Sequence, residues 1–276
     1  MAISSQQKSA QDLYSPPRQV SSVDDCFFYH YMDLPQHQTL GTTWDLRDCV
    51  DEYLGSIDYS DKRVLDVGTA SGFLTFEMEK RGAEVVSFDM PSVDSWDFVP
   101  HFTRTPYWDK MKSSREQCNQ QTRNAYWYAH QKMNSKAKVH YGDVYDLPLE
   151  LGNFDIVFMG MILPHLRDPF QAIYSASRLA SEYLVVTNPG RKPRWLDNLF
   201  GRKRFQAKFI PSKDNNNSDV WWALSNTCIE RMLETIGFNV VDRIESSATC
   251  NVDGKIKTCK NLAIVSRRAA GAARGK

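Results

Sequence analysis

With 276 residues, 42% of them hydrophobic and 24% charged, the chain has the composition of a globular protein and the length to bury the core of one α/β domain with decorations. A formal net charge of +1 excludes a global field that would draw nucleic acid or an anionic membrane, and no apolar run approaches the roughly 18 residues of a membrane helix, so no membrane partner is expected. Six cysteines (Cys26, Cys49, Cys118, Cys228, Cys250, Cys259) lack CxxC spacing, which points to free thiols in a reducing compartment rather than a disulfide frame or a metal site, and with no apolar secretory segment the expected location is cytoplasmic.

Residues 1–22 are polar, contain Pro16-Pro17, and read as disordered. The rest of an N-terminal extension, to residue 54, carries the aromatic run CFFYHYMDLP (26–35), which suits either a lid over a site or a surface strand packing its own rings. RVLDV (63–67) is a short apolar run between polar residues, the pattern of a buried parallel strand. A helix follows over 70–81, with Ala70, Phe73, Leu74 and Met78 at spacings of three and four and Gly82 as its stop. Further strands are predicted at 84–89, 138–143, 154–162 and 182–187, and helices at 168–180 and 226–238. VVDRIES (240–246) and NLAIVSR (261–267) close the pattern as an antiparallel pair, before a loose basic tail over 269–276. This βαβ alternation implies a Rossmann-like, mostly parallel sheet with helices on both faces. Two insertions interrupt it after strand ends, where ligands bind in such sheets. The first, 90–137, holds a helix near 115–133 and many aromatics; the second spans 189–222.

The segment VLDVGTASGFLTF (64–76) runs from strand through a tight turn into a helix. Gly68 permits a positive φ or a close backbone approach, and Gly72 lets the helix pack against the strand. Unpaired N–H groups are available at the helix start. Asp66 suits an amino group or fixation of the loop, Asp89 suits ribose hydroxyls, and Asp143 suits an exocyclic adenine amine. A dinucleotide fingerprint counted from Gly68 would need glycine where Ala70 and Phe73 stand. Adenosylmethionine has no phosphate and needs carboxylates instead, which three acids at three strand ends supply.

The run VLDVGTASGFLTFEMEKRGAEVVSFD resembles the first two motifs of class I S-adenosylmethionine (SAM)-dependent methyltransferases. YGDVYDLP resembles their third motif and FDIVFMGMILPHLRDP their fourth, so the likeness covers roughly residues 55–268. It implies a seven-stranded sheet with one antiparallel strand and SAM as cofactor. It also implies a cofactor site lined by Trp44, Asp66, Gly68, Thr69, Ala70, Ser71, Gly72, Asp89, Met90, Asp143, Val144 and Gly160. A narrower likeness, in WDL (44–46), PHLRDP and WWALSN (221–226), is to tRNA wobble-uridine carboxymethyltransferases that use carboxy-SAM. Those proteins grip the extra carboxylate with a tyrosine and an arginine. Pro164 and Asn261 stand at those positions here, which favours plain SAM.

Methyl transfer from a sulfonium needs a nucleophile held close, water excluded, and a proton removed if the acceptor carries one. The catalytic candidates are His165, after the fourth strand, and His30; the alternative for His165 is a bond to the loop backbone. Tyr29, Tyr31, Asp33, Tyr128 and Trp222 are the substrate candidates. Trp96, Phe98, Phe102, Tyr107 and Trp108, followed by Tyr126, Trp127 and Tyr128, suit core packing or a lid, and a lid of aromatic faces would favour a cationic acceptor or product. The stretch 189–213 holds eight basic residues and one acid, suiting a solvated arm or the phosphates of RNA. The expected function is methyl transfer to a small molecule through oxygen, nitrogen or a thioether sulfur, with tRNA wobble-uridine modification as the alternative and the oligomeric state left open.

Overall fold

Polar residues flanking short β-branched runs produce strands that are apolar on both faces, and these become the middle of the sheet. The computed structural model describes residues 13–190, 205–212, 214–215, 217–252 and 254–271. Residues 1–12, most of the basic stretch (191–204 and Lys213) and the end of the tail (272–276) lie outside the described residues. Strands β2 (Arg63–Val67), β3 (Glu84–Asp89), β4 (Lys138–Tyr141), β5 (Phe154–Gly160) and β6 (Ala180–Pro189) run parallel in the spatial order β6-β5-β2-β3-β4. Beyond β6 lie β10 (Lys255–Arg268), antiparallel to it, and then β9 (Phe238–Val252), antiparallel to β10. This is the mostly parallel Rossmann-like sheet that the alternation implied. It has eight strands rather than seven, because β1 (Trp44–Asp45) adds to the outer edge of β9 with Trp44 opposite Cys250.

Alternate residues of each strand feed two separate cores. On one face Val64, Val85, Ile156, Val185 and Val265 pack under helices α1 (Val50–Tyr53), α2 (Phe73–Lys80) and α3 (Trp108–Lys132), together with Phe28, Met32 and Leu46 of the extension. On the other face Leu65, Val86, Val157, Leu184 and Ile264 pack under α4 (Pro169–Leu179) and α5 (Asn226–Thr235). A small ladder of β7 (Ala207–Phe209) and β8 (Trp222–Leu224) stands apart from the main sheet.

Three features differ from the sequence reading. Residues 13–22 were expected to be disordered, yet Ser15 N–H donates to Val139 O at 2.7 Å and the His140 ring donates to Leu13 O at 2.6 Å. The segment covers part of the open edge of β4, whose backbone groups would otherwise lack partners. The last two strands reach far beyond 240–246 and 261–267, forming one long hairpin whose outer half buries only alternate small residues, Ser246, Ala248 and Cys250, and so carries no core-like run. Finally, Cys250 and Cys259 form a disulfide with a Cα–Cα distance of 6.4 Å, so the expectation of six free thiols is corrected. The hairpin register, Cys250 opposite Lys257 and Cys259 opposite Ala248, puts the two on one face as diagonal neighbours. No helix among the described residues is long and apolar enough to cross a membrane.

Two ionisable side chains are buried where the extension meets the sheet. Asp66 is 1% exposed and accepts a 2.6 Å bond from Thr75 Oγ1, which in turn meets Thr69 Oγ1 and Ser87 Oγ at 2.8 and 2.7 Å. Burial pushes its carboxyl from 3.8 up to about 6, against the pull of the Thr75 and Thr69 hydroxyls. His30 is 8% exposed, its Nδ1 has no partner, and burial pushes its ring from 6.5 down to about 4. Between about pH 4 and 6 the folded state therefore holds a proton on Asp66 that the unfolded chain lacks. The stabilisation from Asp66 is full below 3.8 and lost as the pH rises through about 6. His30 has the opposite sign: its stabilisation is full above 6.5 and lost as the pH falls through about 4. Urea unfolding between pH 4 and 7 should separate the two. Asp66→Asn should gain roughly 2–3 kcal/mol on the parent as pH rises, and His30→Gln should lose a similar amount; parallel curves for parent and variants would remove both assignments.

Candidate functional site

The site is built on the carboxyl ends of the parallel strands, beginning with the turn after β2. Gly68 takes φ +87°, and the N–H groups of Gly68 and Thr69 both donate to Phe88 O, at 2.8 and 3.2 Å. A Cβ on Gly68 would lie 2.5 Å from Ile162 Cγ2, so the turn also packs directly against the loop after β5. Ala70 takes φ +50° and directs its N–H at Asp89 Oδ2, 2.8 Å away; the Met90 N–H holds Oδ1 at 2.7 Å. Gly72, also at φ +87°, starts α2 close under Phe76 and Tyr126, which a Cβ would strike at 2.6 and 2.7 Å.

Asp89 is thus tied to the turn while keeping lone pairs for further donors, since two carboxylate oxygens offer about four acceptor sites. Burial pushes its carboxyl up, opposed by the two backbone N–H groups and by Arg123. Arg123 of α3 also donates to Met90 O and lies 4.3 Å over the Tyr141 ring, closing the flank of the β3 and β4 ends. Asp143 is exposed at the neighbouring strand end, linked to Asp89 through the Gly142 N–H on Asp89 O at 3.0 Å, with Val144 half-buried beside it. Gly160 closes β5 opposite Thr187. Ser71 is fully buried, and its hydroxyl receives the His30 N–H at 3.4 Å. This set of groups fits an adenosine: carboxylates for hydroxyls and amine, and a bare turn for close approach.

The structure separates the remaining expectations. Asp66 faces the hydroxyl network inside the core, so it fixes the loop. Trp44 Nε1 donates to Tyr29 Oη at 3.0 Å, tying the two rings of the extension together. The Tyr29 phenol is pushed up by burial and is close enough to Asp219 and Arg115 to feel both charges. His30 packs its ring 4.9 Å from Tyr29 and 6.0 Å from Phe73. Tyr31 packs against Gly41, and Asp33 is exposed, ion-paired with Arg47 at 2.9 Å. Tyr128 is buried in α3 with its hydroxyl 2.9 Å from His37. Tyr128 therefore clasps the extension to α3, and Asp33 ties the extension to itself. Trp222 donates to Arg167 O at 3.1 Å, within the loop after β5.

His165 lies in that same loop, its Nδ1 3.0 Å from Asp219 O. A carbonyl only accepts, so Nδ1 carries the proton and Nε2 holds the free lone pair. The Asp219 carboxylate pairs with Arg115 of α3 at 2.9 Å. Four segments meet here: the extension, α3, the loop after β5 and the second insertion. Sequence reasoning missed Arg115 and Asp219, because two charges about a hundred residues apart on insertions carry no local signal. It also missed the environment of Asn261, which is 1% exposed with neither amide atom partnered, opposite Pro189 and Ser246 in the register.

A family model described as a methyltransferase domain matches residues 44–243, well over half of the chain. No curated protein matches the sequence. Among solved structures, the chain is similar to magnesium protoporphyrin IX methyltransferase from Synechocystis, bound to S-adenosylhomocysteine, with 13% identity, coverage of 81% of this chain and 82% of that one, and a TM-score of 0.48. It is similar to a SAM-dependent methyltransferase from Aquifex aeolicus with 17% identity, coverage of 80% and 90%, and a TM-score of 0.48. For 1,6-didemethyltoxoflavin-N1-methyltransferase from Burkholderia thailandensis the values are 13%, 81% and 78%, and 0.48. The assignment rests on the family model, which describes the methyltransferase domain as a whole and does not single out the narrower wobble-uridine group. The chain belongs to the methyltransferase domain family, enzymes that take their methyl group from S-adenosylmethionine.

Proposed function

We propose that the chain methylates a small molecule held at the carboxyl edge of the sheet, between the N-terminal extension and the two insertions, with His165 as the group that receives a proton from the acceptor. The observation that carries this reading is the imidazole clamp. With Nδ1–H spent on Asp219 O, the ring is fixed in one tautomer with Nε2 as its basic atom. His30 is the poorer base, because burial against Phe73 holds its ring at about 4.

When bound, the cofactor supplies a methyl group on a sulfonium, already activated for transfer. Asp89 would hold the ribose hydroxyls, Met90 and Val144 would flank the adenine, and Asp143 would take its amine. The turn from Gly68 to Gly72 would receive the amino-acid part, close to Gly160. Tyr29, Trp44 and Trp222 would shut the site from water, which strengthens each polar contact inside it. Four converging segments and a balanced net charge favour an enclosed small acceptor over a nucleic acid.

Calorimetry with S-adenosylhomocysteine should show Asp89→Ala weakening affinity by about 30- to 100-fold, the loss expected for bonds to one charged group of about 2–3 kcal/mol; unchanged affinity would take Asp89 out of the site. Transfer of labelled methyl groups into a metabolite extract should give a product that survives ribonuclease. With that acceptor, His165→Gln should lower kcat by about 100-fold or more while leaving the KM for SAM near its parent value. Activity within threefold of the parent would exclude a base at this position.

A further inference from the structure

The stretch between β3 and α3, with the start of α3 and Arg167, forms an open cavity of about 280 Å³. Trp96, Phe98 and Trp108 line it, together with the charged side chains of Asp94, Lys112 and Arg167. Trp96 and Phe98 stack, with centroids 5.8 Å apart and planes 19° apart, and Trp108 meets Phe98 edge-on at 4.9 Å. Three rings braced against one another make a rigid slot, and a rigid slot loses little freedom when a flat ligand enters. An apolar cavity of about 150 Å³ accepts one benzene ring, so this volume suits two fused rings.

The charges around the slot decide what kind of ring it takes. The Arg115 guanidinium lies 5.1 Å over Trp96, and the Arg167 guanidinium lies 5.4 Å over Trp221. One face of Trp96 in the slot is therefore already taken by a guanidinium, and Arg167, which lines the cavity, spends its charge on Trp221 beside it. The nearby acids are committed too: Asp94 to Lys112 at 2.5 Å, Asp97 to Arg167 at 3.3 Å and Asp219 to Arg115 at 2.9 Å. A cationic ligand would meet guanidinium groups and no free carboxylate among these residues. Arg115 also links the slot to the base, since the Asp219 it pairs with holds His165 through the main chain.

Resting on the function proposed above, we propose that this slot seats the flat, fused-ring body of the methyl acceptor, which is neutral or anionic, with its nucleophile turned toward His165. The test uses the full chain saturated with S-adenosylhomocysteine and three probes of one shape: 2-naphthol, 2-naphthoate and the N-methylquinolinium cation. Titration should show the naphthol or the naphthoate binding at least tenfold more tightly than the cation. Trp108→Ala should weaken that binding at least tenfold and Trp108→Phe less than threefold, with the affinity for S-adenosylhomocysteine within twofold of the parent in both. Equal or tighter binding of the cation, or no effect of Trp108→Ala, would overturn the proposal. Retained binding of S-adenosylhomocysteine with no binding of either naphthyl probe would overturn the slot alone. Naphthyl binding without any binding of S-adenosylhomocysteine would instead overturn the cofactor reading on which the function rests, and binding of neither would overturn both.

Discussion

Everything at the carboxyl edge depends on how the end of β2 is tied to the end of β3. The chain leaves β2 through a left-handed glycine, and the next two amides converge on one carbonyl, Phe88 O. The third, on Ala70, reaches the Asp89 side chain. Amides at the end of a central strand have no ladder partner beyond it, and leaving them bare in a half-buried turn would cost about 1–3 kcal/mol each. Their partners come from the adjacent strand, so the turn cannot move without moving Asp89. The half-buried carboxylate that closes the turn is the one proposed to hold the cofactor, and its position is fixed by the turn itself.

The two faces of the sheet use different chemistry. Under α4 and α5 the aliphatic and aromatic core takes in polar links, the Leu147 N–H to Ser175 Oγ and Asn188 to Leu224 O. Under α2, α3 and the extension, polar groups run through the apolar packing: Asp66 with its hydroxyl chain, the neutral His30, and Asn261. These groups destabilise the fold relative to an apolar core, by amounts that depend on how fully each is hydrogen-bonded. On the face that the extension covers, the titratable ones, Asp66 and His30, lie near the edge where Ser71 and Trp44 meet His30. The extension is part of the domain in this sense: β1 lengthens the sheet, while Phe28 and Met32 complete its core.

Much of the scaffold was legible because it is written in local periodicity. β2, β3 and β5 are apolar runs bounded by polar residues, α4 begins with Asp168 capping Gln171 ahead of Pro169, and the turn announces itself through Gly68, Gly72 and the acid after the next strand. The features that were misread share one property: they are set by partners distant in sequence. Residues 13–15 have no pattern of their own and are held by β4. Asp33 and Tyr128 lay in or near aromatic runs that gave no hint of their partners, Arg47 and His37. The disulfide joins cysteines whose spacing means nothing until the hairpin register is known.

By itself the sequence determined the parallel sheet, the strand-end turn and the acid that closes it, since each is a short-range consequence of residue type: apolar alternation, glycine's access to positive φ, and a carboxylate a fixed distance along the chain. Only the tertiary structure decided which ionisable groups share an environment. It buried Asp66 and His30 with opposite effects on protonation, set Asp219 between Arg115 and His165, and placed guanidinium groups over the tryptophans. Electrostatic and desolvation energies depend on separation and surroundings in space, and no spacing along the chain encodes them.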